Sequence, residues 1–346
     1  MNRQGNVPYH IIETPLSAAG AIAMIRVVHP DLDQIELPIP NRHQLRHSSF
    51  YDVDDGVIVR WDQDSIMLMP HGGIAVVREI SAKLIELGIQ LRVDDDPSLM
   101  YPEAKNEIEA LMLSVLAKAA SPLAVDVLLS QPSRWESVGV TERTDLANNL
   151  DQILDSDGQA ALHRLVEPPV VVAVGRANVG KSTLINALVG EQVSLVADIV
   201  GTTRDHVGVL VDLGGFVVRW IDTPGIDERV GLSTNDAEAI GIAMNVIANA
   251  QLVVHCINSN DDEGKLDPRL EQSIPSRLER IKLGTRADMG SHLVDVDCAV
   301  AITKSEPAAG IETLVKSIRE ALVPAEILED SRPWRFWDSI EPTSGA

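Results

Sequence analysis

A chain of 346 residues with 45% hydrophobic content exceeds the usual size of one core and points to about two folding units. Its formal net charge of −22 repels phosphate backbones, which excludes broad electrostatic binding of nucleic acid and leaves any direct contact to a local basic patch or a partner. No run reaches the roughly 18 apolar residues of a membrane span, the N-terminus lacks the order of a secretion signal, and two cysteines inside apolar runs, Cys256 and Cys298, exclude a disulfide framework, so a soluble, cytoplasmic chain without membrane contact is expected.

Residues 7 to 29 hold two short apolar runs, "YHIIETPL" and "AIAMIRVV", that read as strands. A second pair, "DGVIVRW" and "SIMLM", flanks the polar "DQD" as a hairpin. From Ile74 onward Val76, Val77, Ile80, Leu84 and Leu87 recur at helical spacing, with Gly88 as the stop. Residues 1–100 are therefore expected to form a small α+β domain.

The character changes at Pro102. "PEAKNEIEALMLSVLAKAA", "SPLAVDVLLSQ" and "TDLANNLDQILDSDGQAALHRLV" are helical patterns, the second opening on serine and proline. The proline pair of "EPPV" ends them. A helical segment over 101–167 and a boundary near Glu167 follow.

Beyond it, the short apolar runs "VVVAV", "VGVLVDL", "FVVRWID", "QLVVHCIN" and "CAVAIT" alternate with the helical stretches "STLINALVG", "AIGIAMNVIANA" and "IETLVKSIREAL". That alternation predicts an α/β domain over 168–325, a mostly parallel sheet flanked by helices. "DLGGFVV" supplies a glycine-pair turn for one antiparallel hairpin within it. Residues 326–346 are proline- and charge-rich and read as a tail with a disordered end, although Trp334, Phe336 and Trp337 offer docking groups to the protein or to a partner.

"GRANVGKS", Gly175 to Ser182, has the Walker A spacing. A strand delivers such a loop, its backbone N–H groups curl around phosphate, and the next helix points its positive end at the same anion. Gly175, Asn178, Val179, Gly180, Lys181, Ser182 and Thr183 are the candidate phosphate-side contacts, with Lys181 reaching the terminal phosphates and the Ser182 hydroxyl on Mg2+. The loop says nucleoside triphosphate without saying which. Downstream, "GTTRD" offers Thr202 and Thr203, the latter able to complete the magnesium shell, and "DTPG" offers Asp222 for the metal and the Gly225 N–H for the γ-phosphate.

In this order the motifs resemble the translation-factor-like GTPases, and within them the tRNA-modification GTPases of the MnmE (TrmE) type. "GRANVGKSTLINALVG", "VADIVGTTRD" and "WIDTPGI" are similar to that family's phosphate loop, first switch and second switch, and "ETPLSAAGAIAMIRV" and "PHGG" to pieces of its first domain. The family inserts its P-loop GTPase domain into a helical domain, which accounts for a phosphate loop in mid-chain.

The resemblance implies GTP as substrate, K+ held near Asn178, and water orientation by Glu238, beside the contributions of Lys181 and Thr203 to catalysis. It implies a homodimer through the first domain, a partner protein in tRNA modification, and GTP hydrolysis coupled to wobble-uridine chemistry. The guanine motif departs from Asn-Lys-x-Asp: "GTRADM" supplies Thr285, Arg286 and Asp288. Threonine replaces part of the asparagine bonding, arginine lies over the base as lysine's stem does, and the aspartate keeps guanine preference. Thr303 and Lys304 fall in the last guanine loop. The chain ends "EPTSGA" without the family's cysteine motif, which reads as a diverged, C-terminally truncated member. Arg26 sits at the family's folate-contacting arginine, but Met67 stands four residues before His71 where the family has a glutamate, and "DDDPSLMYPEA" replaces its "PGEF"; folate binding and an ordinary strand arginine both stay open. These departures keep a second reading in view, a GTP-dependent switch or assembly module without tRNA-modification activity.

Overall fold

Alternating apolar residues build the first sheet. A computed structural model describes the chain apart from residues 1–6, 15–20, 93–96, 102, 149, 192–207, 224–233, 260–265, 267, 290–294, 304–307 and 340–346. It divides into two compact units, Met1–Pro102 and Glu103–Ala346.

The first unit contains β1 (Tyr9–Ile12), β2 (Ile25–Val28), β3 (Leu45–Phe50), β4 (Asp54–Arg60), β5 (Ser65–Met69), α1 (Ile74–Glu86), β6 (Gln90–Leu91) and the short α2 (Pro97–Met100). The six strands lie in the order β3-β4-β5-β2-β1-β6, antiparallel except for the β1–β6 pair. Ile25 and Val27 stand opposite Leu68 and Ile66. The period of two puts all four on one face, where Val77, Ile80 and Leu84 of α1 cover them. Strand β3 was not expected: "LRHSSF" exposes Leu45, Arg46 and His47 at the sheet edge, so its sequence carries little apolar alternation.

His10 of β1 is fully buried. Its Nδ1 must carry the proton, because it faces the Ile89 carbonyl at 3.1 Å, and Nε2 then accepts the Ser81 hydroxyl at 2.7 Å. Burial, above all, lowers its pKa below the ordinary 6.5. The neutral form is favoured in the fold, so this group's stabilisation is intact above pH 6.5 and is lost progressively as pH falls from there through the lowered value of the folded state. Thermal unfolding of the full chain from pH 7.5 to 5 is expected to show a falling midpoint for this unit, with a shallower slope in His10→Gln.

The second unit begins with α3 (Glu107–Leu116), α4 (Leu123–Ser137) and α5 (Ser156–Val166). Asn106 caps α3 by accepting the Glu109 N–H, and Asp155 caps α5 by accepting the Gly158 N–H, both at 2.9 Å. The third helical pattern is thereby split: 3-10 turns cover Arg143–Asn148 and Leu150–Gln152, and the α-helix starts only after the aspartate cap. Helix α4 runs through Pro132 to Ser137, past the end of the pattern read from the sequence. Burial of Leu128 and Trp135 on either side of the proline offsets the roughly 3 kcal/mol that a lost helical bond and ring clash cost.

Next come β7 (Val170–Val174), α6 (Lys181–Glu191), β8 (Val209–Asp212), β9 (Val217–Asp222), α7 (Thr234–Ala248), β10 (Leu252–Asn258), α8 (Pro268–Ser273), β11 (Glu279–Thr285), β12 (Cys298–Ala299), α9 (Ile311–Leu322) and α10 (Ala325–Glu329). The sheet order is β12-β11-β10-β7-β9-β8, parallel except for the β8–β9 hairpin. Gly214 and Gly215 turn that hairpin at φ of +68° and +90°, a left-handed pair that matches strand twist. Ile240, Ala243 and Ile247 of α7 and Leu270 of α8 cover one sheet face. The other face shares a single core with α6, α9 and the three preceding helices: Leu111, Leu128 and Leu165 belong with Val171, Trp220, Leu283 and Ile318.

Of the expected tail 326–346, residues 340–346, where the end was expected to be disordered, lie outside the described residues, and the aromatic groups before them dock on the protein. Residues 330–339 pack on α3, α4 and α5, with Trp334 and Phe336 fully buried and Trp337 buried. Trp337 stacks at 5.1 Å from Trp135. The Trp334 amide donates to Gln131 Oε1 at 2.8 Å, while Trp135 Nε1 donates to the Trp334 carbonyl at 3.1 Å. The Arg335 amide donates to Gln159 Oε1 at 2.9 Å, and His163 Nε2 to the Arg335 carbonyl at 3.1 Å. Side chains of α4 and α5 thus satisfy backbone groups of a segment that pairs with no strand among the described residues and ends in a 3-10 turn at Phe336–Ser339, which is what makes its burial tolerable.

Candidate nucleotide-binding site

Strand β7 is buried along Val171 to Val174 and lies between β10 and β9. The chain leaves it toward β9 on one side and reaches β10 on the other, so its C-terminal end is the switch point where open α/β sheets place ligands. Gly175 leaves this end at φ +153°, and a Cβ there would lie 2.5 Å from the Cys256 carbonyl. Only glycine fits. The loop passes Asn178 at φ +59° and Gly180 at φ +110°, and α6 starts at once, with the Leu184 amide on the Gly180 carbonyl at 2.9 Å.

Lys181 is 6% exposed and its Nζ donates to the carbonyls of Gly175, at 3.1 Å, and Arg176, at 3.0 Å. Burial holds its pKa below the usual lysine value, opposed by Asp222 and then Cys256. The ammonium folds back over its own loop, within a helix start whose dipole favours anions. Ser182 Oγ donates to Asp222 Oδ2 at 2.7 Å. Asp222 ends β9 directly beside Ala173 of β7, which brings hydroxyl and carboxylate together across 40 residues of chain. Both are hard oxygen donors, the set that suits Mg2+. Thr183 is exposed on the same first turn of α6.

The Thr285–Asp288 segment is tied to the Gly175–Ser182 loop. The single hydroxyl proton of Thr285 reaches the Val179 carbonyl at 2.6 Å, with the Ile257 carbonyl at 3.1 Å. Arg286, at φ +57°, donates to the Asn178 carbonyl at 2.6 Å. Asp288 stands exposed in the 3-10 turn Ala287–Met289, whose Ala287 amide is held by the Val300 carbonyl at 3.1 Å. The structure therefore brings together Gly175, Asn178, Val179, Gly180, Lys181, Ser182, Asp222, Thr285 and Arg286. Thr202, Thr203, Gly225 and Lys304 lie outside the described residues. Glu238 is on α7, and its side chain is outside them too.

One contributor was missed in the sequence. Thr223 Oγ1 donates to the Ala173 carbonyl at 2.8 Å, locking the end of β9 against β7 one residue past Asp222. Its place inside "DTPG" was the available signal.

A family model described as "50S ribosome-binding GTPase" matches residues 170–285. The tRNA modification GTPase MnmE of Acidiphilium cryptum is 29% identical, over 91% of this chain and 83% of that protein. The MnmE of Acholeplasma laidlawii is 27% identical, over 75% of this chain and 65% of its own length. Among solved structures, Aquifex aeolicus Era bound to GDP and aluminium fluoride is 26% identical, covering 44% of this chain and 56% of that chain at a TM-score of 0.33. This chain is a GTP-hydrolysing, MnmE-like protein built around a P-loop GTPase domain.

Proposed function

We propose that the chain binds GTP with its triphosphate on the Gly175–Lys181 loop and its base at Asp288, and that its hydrolysis serves tRNA modification in the cytoplasm. The observation that carries this reading is the direct tie between the two loops, Thr285 to Val179 and Arg286 to Asn178. It fixes the distance between base pocket and phosphate cradle. Ser182 and Asp222 would hold Mg2+, with Thr203 completing its shell; the ion supplies charge stabilisation on the transferring phosphoryl group. Lys181 neutralises the terminal phosphates, the Gly225 N–H is the γ-phosphate donor, and Glu238 orients the attacking water. Asn178 is the proposed K+ contact. In domain terms the reading takes 1–100, 101–167 and 168–325 as first domain, helical segment and GTPase domain, with a homodimer and a protein partner as its assembly.

No helix among the described residues is long and apolar enough to cross a membrane.

A carboxylate at 288 accepts from guanine N1–H and the 2-amino group, whereas adenine offers a bare N1 and no 2-amino group. Asp288→Asn is expected to lower GTP affinity roughly tenfold or more and to shift preference toward xanthine nucleotides, read by competition between GTP, XTP and ATP. Unchanged GTP preference in the variant would remove Asp288 from base recognition. One observation favours the second reading, a GTP-dependent switch without tRNA modification. Arg26, opposite Met67 across β2 and β5, spends its guanidinium on Glu13 at 2.5 Å and the Met100 carbonyl at 2.8 Å rather than presenting it to a folate. Complementation of a strain lacking the modification GTPase, with wobble-uridine content read by mass spectrometry, separates the two.

A further inference from the structure

Serine at the start of a helix ordinarily caps it. Here the N-terminus of α4 has no side-chain cap. The Ser121 hydroxyl, 1% exposed, accepts instead the amide N–H of Val217, the first residue of β9, at 3.0 Å. Ser121 is itself anchored: its amide donates to the Leu165 carbonyl at 3.1 Å, and that of Ala120 to the Val166 carbonyl at 3.1 Å. The turn joining β8 to β9 is gripped beside it. The Leu123 amide donates to the Gly215 carbonyl at 3.0 Å, and Arg319 of α9 donates to the Gly214 carbonyl at 3.3 Å. The turn is also closed internally, by the Gly215 amide on Asp212 Oδ1 at 2.6 Å and the Leu213 amide on the Phe216 carbonyl at 2.8 Å.

Strand β9 therefore has a held end and a working end. It starts at Val217 on Ser121 and finishes at Asp222 on the Ser182 hydroxyl. Between the two, β9 is paired with β7 and β8, so its first and last residues belong to one continuous hydrogen-bonded ladder. Among the described residues the Ser121 hydroxyl bonds to none of the Gly175–Ser182 or Thr285–Asp288 groups, yet it holds the opposite end of the strand that carries Asp222.

We propose that Ser121 is a positioning residue for GTP hydrolysis: by holding the first amide of β9 it fixes where Asp222 meets Ser182. The proposal rests on the GTPase reading above. It makes the helical segment part of the support of the catalytic site, and it assigns the serine of "SPLAVDVLLSQ" to a strand rather than to its own helix.

The test compares Ser121→Ala and Ser121→Thr in the full chain. Measured are kcat and KM for GTP, GDP affinity, melting temperature, and amide exchange across Val217–Asp222. Alanine leaves a buried N–H without its acceptor. Expected are a kcat loss of roughly tenfold, the scale of a sub-ångström misplacement, GDP affinity kept within about threefold because the phosphate loop is untouched, and faster exchange at β9. Threonine, which keeps the hydroxyl, restores both rate and protection. Wild-type kcat and unchanged β9 exchange in Ser121→Ala overturn the proposal, as does a threonine variant that restores melting temperature without restoring kcat. A wild-type chain that turns over no GTP defeats the GTPase reading instead; slow β9 exchange in wild type and fast exchange in Ser121→Ala then still report the clamp.

Discussion

Replacing Lys181 by alanine is expected to lower GDP affinity by roughly two to three orders of magnitude in calorimetric titration. The ammonium is nearly buried and already lies on the Gly175 and Arg176 carbonyls, so it is in place for phosphate before any nucleotide arrives. Losing one partner of a desolvated, hydrogen-bonded charge pair costs about 2–5 kcal/mol, which is the source of that range at about 1.4 kcal/mol per tenfold. Fold stability should move little, because the variant also removes a cation whose burial is unfavourable. An alanine variant that binds GDP as tightly as wild type would place the phosphates elsewhere.

Trp334→Ala is expected to destabilise the second unit strongly. The indole is completely buried and lies 5.3 Å from the His163 ring and 6.0 Å from Phe336. Truncating a buried tryptophan costs about 3–5 kcal/mol, a melting-point drop on the order of 10 °C for a unit of this size. Because the backbone amide and carbonyl of residue 334 hold Gln131 and Trp135, the segment has two further anchors, and Trp334→Phe should recover most of the loss. Circular dichroism melts of the three proteins check this. A melt unchanged by alanine would mean that the segment contributes nothing to the core.

The phosphate loop was legible because it is local: a buried strand, a glycine that must pass the Cys256 carbonyl, and a lysine at the first helical position all fall within Val170–Lys181. The hairpin at Gly214–Gly215 was legible for the same reason, since two left-handed residues in a row leave few alternatives. What escaped was everything settled by distant partners. Trp334, Phe336 and Trp337 sit in a stretch rich in charge and proline, and nothing nearby announces that Gln131, Gln159 and His163 wait for their backbone. Arg286 carries no local sign that its guanidinium turns to Asn178. Ser121 followed the rule for a helix start and was then claimed by Val217. Strand β3 showed the opposite failure: a polar edge strand lacks the apolar alternation that periodicity detects.

The contact between Trp135 and Trp334 joins positions 199 residues apart, and it has a consequence in time. During synthesis α3, α4 and α5 emerge with the hollow beneath Trp135 unfilled, and it stays so until the intervening GTPase domain has left the ribosome. Closing so long a loop is slow, and an unfilled aromatic groove is a surface on which chaperones and neighbouring nascent chains act. Maturation of the helical layer is thereby made to wait on the translation of the domain it will support.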